Sequence, residues 1–196
     1  MRFRLACSNT LPTETAAYFL RSDTGPKYLL NGQSNTPLCR SSNSDGNFSV
    51  SVIAGNGPID RYPTFIHSRP AFESGPFKGG RKIKFENTNM LFRVIEGRVA
   101  FELIEPESGE VHAETITCGE SIMVRAGHAF RYSVESAYAR MYSFAGRGSG
   151  LEEVFIEAGR LAAPKEMVGE REVDEVDEEK LSAAIKAIGA EYSESS

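Results

Sequence analysis

Hydrophobic and polar residues alternate over many short stretches of this chain. Phe48, Val50 and Val52 are separated by serines, and the same two-residue period recurs in residues 99–104 and 128–134. Because successive side chains of a strand point to opposite faces, this period predicts strands with one buried face. Glycine turns between the stretches favour an antiparallel sandwich or barrel over βαβ units. Further strands are predicted at 90–95, 111–117, 121–124 and 139–144.

The N-terminal region lacks this alternation. Residues 1–24 are expected to be irregular or to hold a short helix over 13–20. The stretch 31–47 is rich in Asn, Ser and Gly and is predicted to be a loop. One β domain is therefore expected over residues 25–148.

Residues 149–196 have the spacing of helices instead. A Ser-x-x-Glu sequence at 149–152 is typical of a capping box, and an apolar stripe of Leu151, Val154 and Phe155 begins inside it. A second helix is predicted over 177–189, with Gly189 as its stop. An acidic stretch between the two helices is expected to be a solvated connector.

A long loop interrupts the β domain at residues 55–82. It is rich in proline and glycine, but it also contains several aromatic residues. Disordered segments are depleted in aromatic residues, and long loops in compact domains are usually functional, so the sequence predicts an ordered loop packed against the domain.

Composition narrows the class of protein. The 196 residues are 40% hydrophobic and 25% charged, which is typical of one globular domain. No apolar stretch reaches the roughly 20 residues of a membrane helix, and no secretory signal is evident. Three widely spaced cysteines predict neither disulfides nor a zinc site and suit the cytoplasm.

Charge argues against nucleic acid as a partner. The net charge is −5, and 13 of the 27 acidic residues lie in 151–196 with only 5 of the 22 basic residues. A phosphate-binding surface needs clustered Lys and Arg. Neither nucleic acid nor a membrane is therefore expected as a partner.

Several segments resemble single-domain cupins, and more narrowly the quercetin 2,3-dioxygenase-like cupins. These are Gly-Pro-Lys-Tyr-Leu-Leu-Asn-Gly at 25–32, Met-Leu-Phe-Arg-Val-Ile-Glu-Gly-Arg-Val at 90–99, and residues 119–131. The resemblance implies a mostly β fold, an antiparallel jelly-roll barrel with a C-terminal helical segment. It also implies a homodimer.

The metal ligands of such cupins are largely missing from this chain. The family's His-x-His pair corresponds to Ile83 and Phe85, or to Lys84 and Glu86 with a spacing one residue shorter. Its Glu corresponds to Met90, and its last His to Phe130. A two-residue deletion in the preceding loop would instead place His128 at that ligand position. A thioether is a poor replacement for a carboxylate ligand. We therefore expect no metal and no cofactor.

A barrel without its metal still offers a cavity. Period-2 alternation and the resemblance together predict an apolar, aromatic lining that suits a small hydrophobic or aromatic molecule. The predicted lining residues are Phe85, Met90, Phe92, Phe101, Phe130 and Met141.

Three side chains are candidates for chemistry in this cavity. His128 is expected to share a strand face with Tyr132, which would place an imidazole and a phenol near one substrate. His67 would join them if the long loop folds over the barrel mouth. His112 and the arginines Arg93 and Arg131 are expected to face solvent or a partner.

Three functions follow as hypotheses. The first is a metal-independent enzyme that isomerises, cyclises or dehydrates an aromatic or polyketide-like metabolite. The second is a metal-dependent, quercetinase-like dioxygenase with an atypical ligand set. The third is a non-catalytic, ligand-binding cupin.

Overall fold

Two antiparallel sheets form the body of the protein. A computed structural model describes residues 4–6, 18–20, 25–57, 76–77, 81–163 and 177–193. Its strands are β1 (Arg4–Ala6), β2 (Tyr18–Leu20), β3 (Tyr28–Leu30), β4 (Gln33–Cys39), β5 (Phe48–Gly55), β6 (Lys82–Phe85), β7 (Met90–Glu96), β8 (Arg98–Ile104), β9 (Val111–Thr117), β10 (Ser121–Val124), β11 (Ala129–Val134), β12 (Ala139–Gly146), β13 (Arg160–Leu161) and β14 (Ala190–Ser193). The helices are α1 (Leu151–Ala158) and α2 (Glu178–Ala187), with a short 3-10 helix at Ser41–Ser44.

The strand order is that of a jelly roll. One sheet runs β10-β7-β12-β5-β4-β3-β13 and the other runs β14-β6-β11-β8-β9. Within them the pairs β5–β12, β6–β11, β7–β10 and β8–β9 are nested inside one another. Such nesting is produced when one long hairpin rolls up into two packed sheets. The predicted antiparallel jelly roll is therefore confirmed by the topology itself.

The strand and helix predictions hold over most of the described chain. Strands β9 and β10 have the bounds that the alternation predicts, and α2 differs from its predicted range by one or two residues at each end. Asp177 caps α2 by accepting a hydrogen bond from the backbone N–H of Lys180 at 3.0 Å. Gly189 adopts a left-handed φ of 72° after the helix, as its role as a stop requires.

Three local predictions are wrong. Residues 33–39 form strand β4, not a loop, because the buried face of this strand is polar and hides the alternation of hydrophobicity. Residues 18–20 form a strand that pairs in parallel with β1 and so do not end a helix. The cap of α1 is Gly150, whose backbone N–H donates to Oε1 of Glu152 at 3.1 Å, and no side chain caps the helix.

Glycine is required at the turn between β7 and β8. Gly97 has a φ of 79°, and a Cβ atom at this position would collide with the carbonyl oxygen of Tyr138. β7 and β8 belong to different sheets, so this turn carries the chain from one sheet to the other. No helix in the described part of the chain is long and apolar enough to span a membrane.

Candidate functional site

The interior of the jelly roll is filled by aromatic rings. Phe92, Phe101, Phe130 and Tyr132 are at most 1% exposed. The ring of Phe92 lies 5.2 Å from that of Phe101 and 5.5 Å from that of Phe130, measured between centroids. The other predicted lining residues, Phe85, Met90 and Met141, are buried in the same core. The side chains predicted to surround a cavity thus pack largely against one another.

One ring of this core comes from the long loop. Phe77 is fully buried, and its ring meets those of Tyr132 at 4.7 Å and Phe130 at 5.8 Å in edge-to-face contacts. The hydroxyl of Tyr192 in β14 donates to the carbonyl oxygen of Pro76 at 3.0 Å, which holds this part of the loop in place. Residues 58–75, including His67, and residues 78–80 lie outside the described part of the chain.

Tyr132 has a structural partner in the core. Its hydroxyl donates to Oε1 of Gln33 at 2.8 Å, and both side chains are fully buried. Burial raises the pKa of the Tyr132 phenol well above its ordinary value, so the group stays protonated. Tyr132 therefore links the two sheets as a hydrogen-bond donor.

His128 lies at one end of the barrel, just before β11 begins. Its side chain is 22% exposed, and its Nδ1 is 3.5 Å from the carbonyl oxygen of Ala126. Tyr132 follows four residues later, which is about 13 Å along an extended strand. The imidazole and the phenol have different partners, Glu105 and Gln33, and their joint action on one substrate stays a prediction.

The partner of His128 is a carboxylate that the sequence did not single out. Nε2 of His128 lies 3.4 Å from Oε2 of Glu105, whose side chain is 44% exposed. Ala129 pairs with Ile104 in the β11–β8 register, so the two residues just beyond these strand ends are brought side by side. Only the register reveals this pair, since the two residues lie far apart along the chain.

Of the other polar candidates, His112 and Arg93 are exposed and Arg131 is half-buried. The side chain of His112 is 57% exposed, and its Nε2 is 4.0 Å from a carboxylate oxygen of Glu110. Arg93 is exposed, and Arg131 forms an ion pair with Glu102 at 2.6 Å.

The positions that correspond to the family's metal ligands do not fit a metal. Ile83, Phe85, Met90 and Phe130 are at most 3% exposed and offer no nitrogen or oxygen side-chain atom. Lys84, from the shorter spacing, forms ion pairs with Glu86 and Glu191 on the surface. No group of three His, Cys, Asp or Glu with metal-binding geometry occurs among the residues described. The donor set for a metal of the cupin type is thus lacking at these positions.

A second polar feature was missed by the sequence analysis. Asn35, Ser51 and Ser143 are at most 2% exposed on the inner face of the seven-stranded sheet. Glu152 is also buried, at the start of α1, and burial raises the pKa of its carboxyl group. Serine and asparagine in a strand ordinarily indicate the solvent-facing side. Their residue types alone therefore do not predict that these side chains are buried.

Several solved structures are similar to this chain at the level of the fold. No family model matches the chain, and no curated protein matches it. Oxalate decarboxylase of Bacillus subtilis is 12% identical with a TM-score of 0.47, over 67% of this chain and 29% of that one. An oxalate oxidase is 12% identical with a TM-score of 0.42, over 60% of this chain and 52% of that one.

A third similar structure is the Cnp3 cupin domain of Schizosaccharomyces pombe. It is 11% identical with a TM-score of 0.41, over 61% of this chain and 67% of the domain. This chain matches under a third of the length of the decarboxylase. At these values no function follows from the likeness. The strand order of the chain by itself shows an antiparallel jelly roll.

Proposed function

We propose that this protein is a metal-independent acid–base enzyme for a small aromatic substrate, and that its catalytic pair is His128 with Glu105. The 3.4 Å contact between Nε2 of His128 and Oε2 of Glu105 carries the proposal. An imidazole oriented by a carboxylate is a common device for proton transfer near neutral pH. The pair is partly exposed at the barrel end, so a substrate has access to it.

The geometry suggests which nitrogen acts. The Glu105 carboxylate lies 3.4 Å from Nε2, so its negative charge favours a proton on that nitrogen and orients the ring. The contact of Nδ1 with Ala126 is at 3.5 Å, too long for a strong hydrogen bond, so this nitrogen is available to a substrate. It would take a proton from a carbon next to a carbonyl group and return it at another atom. Isomerisation, cyclisation and dehydration all use such a transfer.

The ring preference of the proposed substrate follows from the adjacent core. Phe85 lies in β6, which pairs with β11 on the edge opposite to β8. Gly127, next to His128, donates its backbone N–H to the carbonyl oxygen of Phe85 at 2.8 Å. The imidazole is thus held close to the apolar end of the barrel. A neutral aromatic ketone with an acidic C–H group would offer a ring to the apolar end of the barrel and a transferable proton to the imidazole.

The enol–keto conversion of benzoylacetone tests the proposal, with protein dialysed against a chelator. The wild type should accelerate the loss of enol absorbance, and His128→Gln should lower that acceleration by about 10²–10⁴-fold. His112→Gln is the matched control, because His112 is an exposed histidine beside a carboxylate. Equal rates for wild type and His128→Gln would refute the proposal. Oxygen consumption that depends on added iron, manganese, nickel or copper would favour the dioxygenase alternative.

A second candidate function is ligand binding without catalysis. The observation that favours it is the structural role of Tyr132, whose hydroxyl donates to Gln33 and is therefore not offered to a substrate. Ligand-observed NMR with benzoylacetone distinguishes the two functions. Binding that survives substitution of both His128 and Glu105, without any enol conversion by the wild type, would support the non-catalytic role.

A further inference from the structure

Three neighbouring strands carry a continuous polar row on the inner face of the seven-stranded sheet. The row consists of Asn35 in β4, Ser51 in β5 and Ser143 in β12, all at most 2% exposed. Ser51 lies opposite Ser143 in the register, and Ser143 lies opposite Phe92. The row therefore ends directly at the aromatic cluster of the core.

Part of the hydrogen-bonding capacity of this row is unused. Nδ2 of Asn35 donates to Oγ of Ser51 at 2.9 Å. Oδ1 of Asn35 and Oγ of Ser143 have no hydrogen-bond partner among the described residues. Leaving a buried polar atom unpaired costs about 1–3 kcal/mol, and such atoms in native proteins usually mark the place of a water or ligand. Both atoms lie on the inner face of one sheet, in β4 and β12, which β5 separates, so a molecule that pairs with both must lie between the sheets and span β5.

The same strand shows which chemical group fits an amide oxygen here. Gln33 and Asn35 point to the same face of β4, because they are two residues apart. Oε1 of Gln33 accepts a hydrogen bond from the phenol of Tyr132. Oδ1 of Asn35 is the equivalent acceptor two residues further along β4, and no described side chain donates a hydrogen bond to it.

The inward side chains beside this row are short. The inward positions next to Ser143 include Ser51 and Ala145, which reach only a short way from their sheet. Sheets packed face to face lie about 10 Å apart, so short side chains on one sheet must be met by long ones from the other or by a bound molecule. The ring of Phe92, which borders the row, offers a surface on which an aromatic ligand can pack.

We propose that Asn35 and Ser143 bind the hydroxyl group of a small, neutral phenol. The phenol O–H donates to Oδ1 of Asn35, the hydroxyl of Ser143 donates to the phenol oxygen, and the ring packs on Phe92. None of the three residues of the row is charged, so it suits the neutral phenol and not the phenolate. This inference rests on the proposed binding of an aromatic molecule and specifies which polar group of that molecule the protein recognises.

Calorimetric binding of 4-hydroxyacetophenone and its methyl ether, 4-methoxyacetophenone, tests the proposal. The wild type should bind the phenol about fivefold more tightly, the worth of one neutral hydrogen bond. Ser143→Ala and Asn35→Leu should both remove this preference. Ser133→Ala is the matched control, because Ser133 is also 2% exposed with an unpartnered hydroxyl but belongs to the opposite face of β11 from Tyr132. This control should keep the preference.

Three outcomes would overturn the proposal. They are equal affinity of the wild type for the two compounds, an unchanged preference in Ser143→Ala, and crystals soaked with the phenol in which ordered water alone occupies Asn35 and Ser143. Folding of each variant is checked by circular dichroism, and Ser143→Ala decides the matter should Asn35→Leu fail to fold. A phenol preference without enol conversion of benzoylacetone would leave this site standing and refute only the catalytic role of His128.

Discussion

The hydroxyl of Tyr132 reaches across the core to Gln33 and joins the two sheets by a 2.8 Å hydrogen bond. Tyr132→Phe removes the donor and leaves the amide oxygen of Gln33 without this bond. We expect the free energy of unfolding to fall by about 1–3 kcal/mol. Urea denaturation measures the change, with Tyr142→Phe on the outer face of the sheet as the control. Turnover of benzoylacetone should persist, and its loss in a folded Tyr132→Phe would return this phenol to the catalytic site.

Phe77 fills the core from the long loop. Phe77→Ala should lower the free energy of unfolding by about 3–5 kcal/mol, because it leaves a cavity beside Phe130 and Tyr132. Phe48→Ala is the control, since Phe48 is 48% exposed and should cost far less. Guanidinium denaturation compares the two. Equal costs would mean that Phe77 does not pack in the core in solution.

Glu152 should make stability depend on pH. Burial raises the pKa of its carboxyl group in the folded state, so the folded protein holds the proton more tightly than the unfolded chain does. The stabilising contribution is therefore complete below the unfolded pKa and is lost as the pH rises through the folded pKa. Glu152→Gln should be more stable than the wild type at pH 7 and above, with a difference that shrinks towards pH 4.5.

Urea denaturation at several pH values measures this difference, and Glu153→Gln is the control. Glu153 accepts two hydrogen bonds from Arg40, at 3.0 and 2.7 Å, so its substitution should destabilise the protein at pH 7. A wild type that is more stable than Glu152→Gln at pH 8 would contradict the expected sign.

His128 and Glu105 should act as one unit. If Glu105 works only by orienting the imidazole, Glu105→Gln should reduce benzoylacetone turnover, and the double variant with His128→Gln should be no slower than His128→Gln alone. Steady-state rates of the four proteins give the answer. Additive losses would show that the two side chains act separately.

Metals should leave the stability of the protein unchanged. A metal that binds only the folded state adds about 2.7 kcal/mol at a concentration 100 times its Kd. Because Ile83, Phe85, Met90 and Phe130 carry no suitable donor, we expect Mn²⁺, Fe²⁺, Ni²⁺ and Cu²⁺ to cause no rise in Tm. Thermal melts with and without each ion test this. A clear rise with one ion would favour an atypical metal site.

The alternation of hydrophobic residues was enough to predict most strands between 48 and 146. It succeeded where one face is apolar, as in β7, whose inward residues are Met90, Phe92 and Val94. It failed for β4, where Gln33 and Asn35 are buried and reverse the usual meaning of polarity. The homodimer, the cytoplasmic location and the role of His67 stay predictions.

Local sequence determined the strands, the two helices and the absence of the family's ligands from their expected positions, because each depends on residues close together in the chain. Tertiary structure alone decided which side chains meet. The pairing of β8 with β11 puts Glu105 beside His128, and the packing of the two sheets joins Tyr132 to Gln33. Contacts of this kind depend on strand register and sheet packing, and a linear pattern of polarity carries too little information to fix either.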